Sequence, residues 1–305
     1  MARRRRGRPV HGVVLLDKQA GMGSNTALQR VRRVFNAEKA GHTGTLDPFA
    51  TGMLPICLGE ATKTAAFLLD SDKTYTARAV LGQATDTGDT EGHITKTLPV
   101  PELDRNTIES ALAGFVGQTE QVPPMYSAIR HGGRKLYDLA RAGIKVDRKA
   151  RTVLIHELRL VEWNSPYLIF DVHCGKGTYI RTLAEDLARK LGCCAHLDAL
   201  RRRTVAHFEA RNMVSLDTLR EAAASGSLET FLLPADAALA HWPVTTLESQ
   251  AASRFRNGNP VDVSSAASGM YRVVDANGSL LGLGEISPAG KLSPRRVFNI
   301  VPRTQ

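Results

Sequence analysis

Hydrophobic and polar positions follow strand and helix periods in turn along most of the chain. The apolar run HGVVLLDK at 11–18 predicts a buried strand, and SNTALQRVRRVFN at 24–36 predicts an amphipathic helix with Ser24 as its N-cap. The alternating segment KTYTARAVLG at 73–82 predicts another strand. Further predicted strands are RTVLIHELRLVEW, PYLIFDVHC and AHLDALRRRTV, and further predicted helices are GEATKTAAFLLD and TYIRTLAEDLARKLG. The chain therefore alternates predicted strands and helices.

The composition changes toward the C-terminal end and predicts a second, smaller domain. Residues 215–240 are Ala-rich and helical in pattern, and from Trp242 and Pro243 onward short strand-like segments are separated by Gly, Pro and Asn. This pattern is typical of a small barrel-like module of about 60 residues. We predict a basic arm at 1–10, a larger domain at 11–240 and a small domain at 244–305.

The charge balance favours a polyanionic partner. The chain has 40 Lys and Arg residues against 30 Asp and Glu residues, a formal net charge of +10. Nucleic acid is the leading candidate, and a membrane surface is the alternative. No apolar run approaches the roughly 20 residues that a spanning helix needs, and the run VVLLDK after the basic arm is too short for a signal peptide. The sequence predicts a cytoplasmic protein that binds RNA or DNA.

The cysteines agree with that compartment and do not predict a metal site. Cys193, Cys194 and His196 lie close together, but adjacent cysteines make poor tetrahedral ligands and the chain has no second pair. We therefore predict buried thiols at Cys57, Cys174, Cys193 and Cys194, and no bound metal ion.

The densest basic segment within the body of the chain lies at 127–151. It contains only two acids, Asp138 and Asp147, so internal ion pairs cannot neutralise its charge. An exposed charged helix is one interpretation, and contacts with phosphates are the better one. Glycines at 132 and 133 further predict that the segment is mobile without RNA. Its basic residues are Arg130, Arg134, Lys135, Arg141, Lys145, Arg148, Lys149 and Arg151.

One acid stands in a stretch otherwise almost free of charge. In GHTGTLDPFATG, at 41–52, the titratable residues are His42 and Asp47, among small and apolar neighbours. Such an acid serves either chemistry or local structure, because Asp before Pro commonly starts a turn or caps a helix. The residues alone leave both interpretations open.

Two other segments match ligand-binding motifs only in part. Asp86, Asp89 and Glu91 lie near alternating positions in TDTGDTEGH but lack the calcium-loop pattern, so we predict a polar turn. The GKG sequence at 175–177 precedes a predicted helix but lacks the Walker spacing, which disfavours ATP binding.

Four motifs occur in order over nearly the whole chain: GHTGTLDPFATGMLPICLGEATK, DKTYTARAVLG, CGKGTYIRTLAEDL and HLDALRRRTV. Together they resemble the tRNA pseudouridine synthase B family, and the tail resembles a PUA RNA-binding domain. The resemblance implies an α+β pseudouridine synthase fold, in which helices flank a mixed, largely antiparallel sheet with a central RNA-binding cleft. It also implies that a small β-barrel PUA-like domain ends the chain.

The activity that this resemblance implies is isomerisation of uridine 55 in the T loop of tRNA to pseudouridine, without cofactor or metal. Uracil must be detached from C1′ of the ribose, turned over and rejoined through C5, which calls for an anionic oxygen and a base for the C5 proton. The implied protein is a monomer that contacts the T arm and the acceptor stem and uses no guide RNA. A non-catalytic RNA-binding module or tRNA chaperone, and a guide-RNA-dependent relative, are the alternatives.

The resemblance implies three catalytic residues. Asp47 matches the nucleophilic aspartate, which could attack the sugar, attack the pyrimidine ring or aid elimination. Arg181 matches the arginine that pairs with this acid and keeps it ionised. Tyr75 matches the tyrosine that stacks on the target base and is proposed to take the C5 proton, although its ordinary pKa near 10 makes it a weak base.

Four further residues match substrate-binding positions. His42 matches a residue that enters the RNA fold when the target nucleotide flips out, with a core histidine as the alternative. Tyr179 and Leu200 match walls of the base pocket, although Leu200 alone would suggest core packing. Lys18 matches a motif near the cleft, where this chain has Gln19 in place of the family's proline.

Overall fold

The computed structural model describes residues 7–263 and 267–300, which form two main sheets with helices around them. The predicted arm residues at 1–6 lie outside these ranges. In chain order the strands are β1 Gly12–Lys18, β2 Ala40–His42, β3 Thr51–Leu58, β4 Lys73–Leu81, β5 Gln83–Thr85, β6 Ile94–Thr97, β7 Gly117–Gln121, β8 Arg130–His131, β9 Arg134–Lys135, β10 Arg151–Asn164, β11 Tyr167–Cys174, β12 Ala195–Val205, β13 Val244–Leu247, β14 Val261–Asp262, β15 Gly269–Asp275, β16 Leu280–Ile286 and β17 Lys291–Val297. The α-helices are α1 Ser24–Val34, α2 Ala65–Asp70, α3 Arg105–Ala113, α4 Leu136–Arg141, α5 Ile180–Lys190, α6 Leu216–Ser225 and α7 Ser249–Arg256. Short 3-10 helices lie at Gly59–Thr64, Ala210–Asn212, Leu228–Phe231 and Ala237–Leu239.

The large sheet confirms the predicted mixed, largely antiparallel architecture of an α+β protein. Its strand order is β1-β3-β12-β4-β11-β10-β7, and β2 also pairs with β3. Strands β3 and β12 run parallel, whereas the other paired neighbours are antiparallel. The parallel pairing joins Arg201 and Arg202 of β12 to Thr51 and Gly52, the first residues of β3, which follow the Asp47 loop.

Burial differs between the two halves of this sheet. In β1 and β3, Val14 and Leu54 pack toward the core that includes α1, α5 and α6, while Val13 and Met53 pack into a second core on the opposite face. Because both faces of β1 are buried, its apolar run is continuous instead of alternating. Strands β4 and β11 instead alternate buried residues with more exposed ones, so only one of their faces is covered.

The prediction that Ser24 caps α1 is wrong. Gly23 occupies the N-cap position, and no side chain caps the helix. The Ser24 hydroxyl instead donates to the Leu46 carbonyl and accepts from the Leu46 amide, both at 2.8 Å. A buried tertiary partner has taken the hydroxyl that local sequence assigned to capping.

The C-terminal third is less regular than its composition suggests. Helix α6 ends at Ser225, where Gly226 has a left-handed φ of 77°, so the predicted helical region of 215–240 is shorter and continues as 3-10 turns. The tail forms a five-stranded sheet in the order β13-β15-β16-β17-β14. It also contains α7, which the prediction of short strands omitted, and Phe255 of this helix is buried in the core of the small sheet.

Three of the cysteines are buried as predicted, namely Cys57, Cys174 and Cys193, while Cys194 is partly exposed. Burial raises the pKa of Cys57 to about 12 and that of Cys174 to about 11, so both remain thiols at neutral pH. Among the described residues, no helix is long and apolar enough to cross a membrane.

Candidate active site

The loop between β2 and β3 brings Asp47 next to Arg181 at one cleft. Asp47 lies between β2 and β3, and Arg181 lies near the start of α5. Asp47 Oδ2 is 2.9 Å from Arg181 Nε. The Asp47 carbonyl also accepts a hydrogen bond from the Ala50 amide at 3.1 Å, so this residue does start a turn. Its side chain, however, pairs with the distant arginine rather than with its own backbone.

Arg181 is buried and saturated with partners. Its side chain is 4% exposed, and its Nη1 atom lies 3.4 Å from Asp89 Oδ2. Nη1 also donates to the Thr87 carbonyl at 2.6 Å, and Nη2 donates to the Tyr126 carbonyl at 2.7 Å. The guanidinium is thereby fixed in orientation while its Nε faces Asp47.

Asp89 belongs to the site, although the sequence predicted it only as part of a polar turn. The segment 85–93 is a polar turn as predicted, and Asp89 accepts hydrogen bonds from the Thr87 hydroxyl at 2.7 Å and the Glu91 amide at 3.0 Å. Its side chain is only 4% exposed. The turn therefore presents a second carboxylate to Arg181, and the spacing of its acids was the available signal.

The Asp47 carboxyl is desolvated but remains reachable from the cleft, with 32% of its side chain exposed. Burial raises the pKa of Asp47 above its ordinary value, and the charge of Asp89 adds to this effect. Arg181 and Lys18 oppose the shift by stabilising the anion. The group is thus an acid whose ionisation depends on its cationic neighbours.

Lys18 lies beneath the Asp47 loop and is only 1% exposed. Its ammonium donates to the carbonyls of Met22 at 2.7 Å, Gln19 at 3.0 Å and Pro48 at 3.1 Å. Burial lowers the pKa of Lys18 to about 8, against the opposing charge of Asp47. The carbonyl of Gln19 itself helps to hold the ammonium, so the missing proline does not leave Lys18 unanchored.

Tyr75 lies on β4 directly opposite Arg202 on β12. Burial raises the pKa of the Tyr75 phenol, and Arg202 opposes the shift. Arg202 is 1% exposed and donates to the Met53 carbonyl at 2.7 Å and the Gly44 carbonyl at 3.3 Å. Arg202 was not among the predicted site residues, although strand alternation in LRRRTV places the middle arginine on the face opposite its two neighbours.

Two adjoining cavities meet at the ion pair, and Asp47 and Arg181 line both. The larger, about 510 Å³, is bounded by the start of α1, by His42 and by part of the basic segment. The smaller, about 320 Å³, is lined on its other sides by Tyr75, Tyr179, Leu200 and Arg202. Both volumes lie in or near the range of small-molecule pockets. The structure therefore brings six of the seven expected residues to the cavity walls and leaves Lys18 behind them.

The remaining expected residues differ in how firmly they are held. The backbone of Tyr179 is clamped by Gln121, whose side chain accepts from the Tyr179 amide at 3.0 Å and donates to its carbonyl at 3.4 Å. Burial raises the pKa of the Tyr179 phenol. Burial also lowers the pKa of His42, whose Nδ1 has no hydrogen-bond partner within the described residues. Leu200 is 7% exposed and borders the smaller cavity.

The basic segment forms one wall of the larger cavity through Lys135, Tyr137 and Arg141. Lys135 Nζ lies 5.2 Å and the Arg141 guanidinium 5.6 Å from the centroid of the Tyr137 ring, both in cation–π contact. Helix α4 anchors this wall through its buried residues Leu136 and Leu139. Positive charge thus lines the entrance to Asp47. The mobility of this segment without RNA stays a prediction.

Metal ligands converge at a different place. Across residues 7–263 and 267–300, one group of His, Cys, Asp or Glu side chains has the spacing to hold an ion, namely Asp72, His156 and His173. None of these residues lines either cavity at Asp47.

Comparison with protein families gives matches along most of the chain. Residues 32–180 match the model described as TruB family pseudouridylate synthase, N-terminal domain. Residues 181–240 match the tRNA pseudouridylate synthase B C-terminal domain, and residues 243–298 match the C-terminal model of pseudouridine synthase II TruB.

Two similar proteins are both named tRNA pseudouridine synthase B. The tRNA pseudouridine synthase B of Nitrosococcus oceani is 50% identical over 299 residues, covering 97% of each chain. That of Escherichia coli strain K12 is 48% identical over 305 residues, covering 96% of this chain and 97% of the relative.

Among solved structures, an H/ACA RNP bound to a substrate RNA containing 2′-deoxyuridine matches with a TM-score of 0.72 and 21% identity, over 99% of this chain and 92% of that one. A Cbf5-Nop10-Gar1 complex matches with a TM-score of 0.71 and 23% identity, over 94% of this chain and 84% of that one. These likenesses confirm the expected pseudouridine synthase fold.

Proposed function

The chain belongs to the TruB family of pseudouridylate synthases, and on that premise we propose that it isomerises uridine 55 in the T loop of tRNA to pseudouridine. Its similarity over nearly the full length to proteins named tRNA pseudouridine synthase B supports tRNA as the substrate. The observation that carries the proposal is the Asp47 carboxylate, paired with Arg181 and partly exposed where two cavities meet.

The reaction breaks the bond between N1 of uracil and C1′ and forms a bond between C5 and C1′. The proton lost from C5 is balanced by one gained at N1, so the conversion consumes no oxidant or reductant. A base stacked inside the T loop cannot reach a pocket acid, so the nucleotide must flip out. Asp47 supplies the anionic oxygen at the reacting atoms, and Arg181 favours its ionised form.

The smaller cavity receives the base in this proposal. Tyr75, Tyr179 and Leu200 provide its aromatic and apolar walls. Because its pKa is raised, Tyr75 enters the reaction as a neutral phenol whose ring stacks on uracil. Its oxygen takes the C5 proton as its own phenolic proton passes to solvent, and solvent in turn supplies the proton that N1 gains. His42, with a lowered pKa, presents a neutral ring to the larger cavity, where it can replace a flipped base in the RNA stack.

The RNA contacts extend beyond the cleft. We assign catalysis to residues 11–240, with the basic segment at 127–151 over the T arm, and acceptor-stem binding to the PUA-like tail at 244–305. The cationic wall at Lys135 and Arg141 supports the first contact. A tRNA substrate supports a cytoplasmic location, and we further propose that the protein acts as a monomer.

Tritium release from a bare tRNA transcript labelled at C5 of uridine tests this function. We expect release by the wild type and by the matched control Asp217→Asn, whose side chain is 79% exposed. Asp47→Asn should release none while binding tRNA normally. A transcript with cytidine at position 55 should also give no release if this uridine is the target.

Other outcomes of the same experiment identify the alternatives. Tight binding without release by the wild type would indicate a non-catalytic RNA-binding module. Release that requires an added guide RNA would indicate a guide-dependent enzyme. Release by Asp47→Asn at the wild-type rate would exclude Asp47 from the chemistry.

A further inference from the structure

The face of the large sheet opposite Tyr75 carries a compact group of metal-ligating side chains. Thr74 alternates with Tyr75 along β4 and pairs with His173 on β11, so His173 lies on the face turned away from the catalytic cleft. Asp72 precedes Thr74 by two residues and continues the same period. These residues are not used in the proposed reaction.

A β-bulge brings a second histidine to this group. Between the paired positions Ile155–Cys174 and Glu157–His173, strand β10 has one extra residue, His156. Bulges of this kind redirect a side chain out of the regular alternation. The rings of His156 and His173 lie with centroids 4.6 Å apart and planes inclined by 35°.

Both imidazoles present the same atom to one carboxylate oxygen. Nε2 of His156 lies 3.1 Å and Nε2 of His173 lies 4.0 Å from Oδ2 of Asp72. One histidine suffices for an ordinary Asp–His hydrogen bond, and the second lies beyond hydrogen-bonding distance. A tetrahedral ion with bonds of about 2.1 Å holds its ligands about 3.4 Å apart, a spacing that these two distances straddle.

The backbone around the group is fixed while its ligand atoms are open to solvent. The Asp72 carbonyl accepts a hydrogen bond from the Ala206 amide at 2.9 Å. The side chains of Asp72, His156 and His173 are 48%, 33% and 41% exposed, so an ion can enter without unfolding. Next to His173 on the same face lies a cavity of about 240 Å³ with room for water.

We propose that Asp72, His156 and His173 form a Zn²⁺ site, with water completing the coordination. Two imidazole nitrogens and one carboxylate oxygen suit Zn²⁺ and its transition-metal neighbours, whereas Mg²⁺ and Ca²⁺ prefer sets made of oxygens. The ion ties the start of β4 to β10 and β11. Because Tyr75 follows Asp72 by three residues, the site stabilises the strand that carries it, from the opposite face of the sheet.

The test uses the full-length protein without a histidine tag, because such a tag would bind the same ions. A chelator first removes any bound metal. Zn²⁺ is titrated calorimetrically into the wild type, His156→Gln, His173→Gln, the double variant of these two histidines, and His93→Gln, which removes an exposed histidine outside the group. We expect one equivalent bound by the wild type and His93→Gln, and affinity weakened roughly tenfold or more in each cluster variant. Zn²⁺ should raise the Tm of the wild type and of His93→Gln, and of none of the cluster variants.

Co²⁺ absorption of the wild type gives a second readout that does not depend on any variant. Intense visible bands, typical of tetrahedral Co²⁺, are expected. A weak octahedral spectrum in the wild type, or Zn²⁺ affinity of the double variant equal to that of the wild type, would overturn the proposal.

Discussion

Replacing Arg181 by methionine isolates the most connected group of the candidate site. Methionine keeps an unbranched side chain of similar reach but removes every hydrogen-bond donor. The change leaves Asp47 and Asp89 without their shared cation, and it removes donors from the carbonyls of Thr87 and Tyr126. Both stability and catalysis should therefore respond.

The expected loss of stability follows from burial. Arg181 and Asp89 are each 4% exposed, and removing one partner of a buried ion pair typically costs about 3–5 kcal/mol. Asp89 keeps its hydrogen bonds from Thr87 and Glu91, which places the expected cost near the lower end, about 3 kcal/mol. The matched control is Arg189→Met on the same helix, where the arginine is 73% exposed and the pair contributes at most about 1 kcal/mol.

Arg181→Met should also change how tritium release and the free energy of unfolding depend on pH, in a direction set by the ionisation of Asp47. Burial already raises the pKa of Asp47, and Arg181 is the largest opposing influence, so the variant should raise this pKa further. The acid limb of tritium release should move to higher pH. The variant's loss of unfolding free energy should also be larger at pH 8 than at pH 5, because protonated carboxyls need no counter-charge.

Urea denaturation at both pH values and single-turnover tritium release from pH 5 to pH 9 measure these effects. If Arg181→Met destabilises the protein no more than Arg189→Met does, the arginine is not the buried counter-ion we describe. If the acid limb of the variant coincides with that of the wild type, Arg181 does not set the ionisation of Asp47.

Three further predictions address the base pocket, the backbone and the RNA surface. Tyr75→Phe keeps the stacking ring and should bind tRNA normally, but tritium release should fall by roughly 100-fold or more if the hydroxyl takes the C5 proton; unchanged release would exclude that role. Gly52→Ala should cost at least about 3 kcal/mol in urea denaturation, because φ is +99° and a Cβ would overlap the backbone of β12. The control Gly143→Ala, with φ of +72° and open space, should cost about 1 kcal/mol, and equal losses would contradict the close approach. Lys145→Ala combined with Lys149→Ala should weaken tRNA binding and lower the slope of log affinity against log salt by about one per lost phosphate contact, whereas an unchanged slope would place both lysines away from the RNA.

Much of the fold was predictable because alternation records which face of a strand is buried. The segment AHLDALRRRTV is strand β12 from its first residue to its last, and HGVVLLDK differs from β1 only at His11. Local patterns failed where a distant partner decided the outcome. The Ser24 hydroxyl looked like a cap but binds Leu46, and the bulge at His156 has no signature in its own sequence.

The candidate site was predictable only in part for the same reason. The resemblance identified Asp47 and Arg181, and the structure places them in contact. Asp89 could not be assigned from spacing alone, because its significance depends on which helix packs against its turn. Arg202 could have been found from strand alternation, but only with the knowledge that the buried face of β12 adjoins the cleft.

The charge-poor loop at Asp47 makes sense once the strands beneath it are considered. Gly52 pairs with Lys18 on β1 and with Arg202 on β12, so one glycine separates two buried cations. Lys18 holds the carbonyl of Pro48 at one end of the loop, and Arg202 holds the carbonyl of Gly44 at the other. The loop needs no charges of its own because neighbouring strands provide them. Because the residues of the loop are small, these two cations can approach its backbone. They bind the loop from the side of the sheet, so the carboxylate of Asp47 can face the substrate.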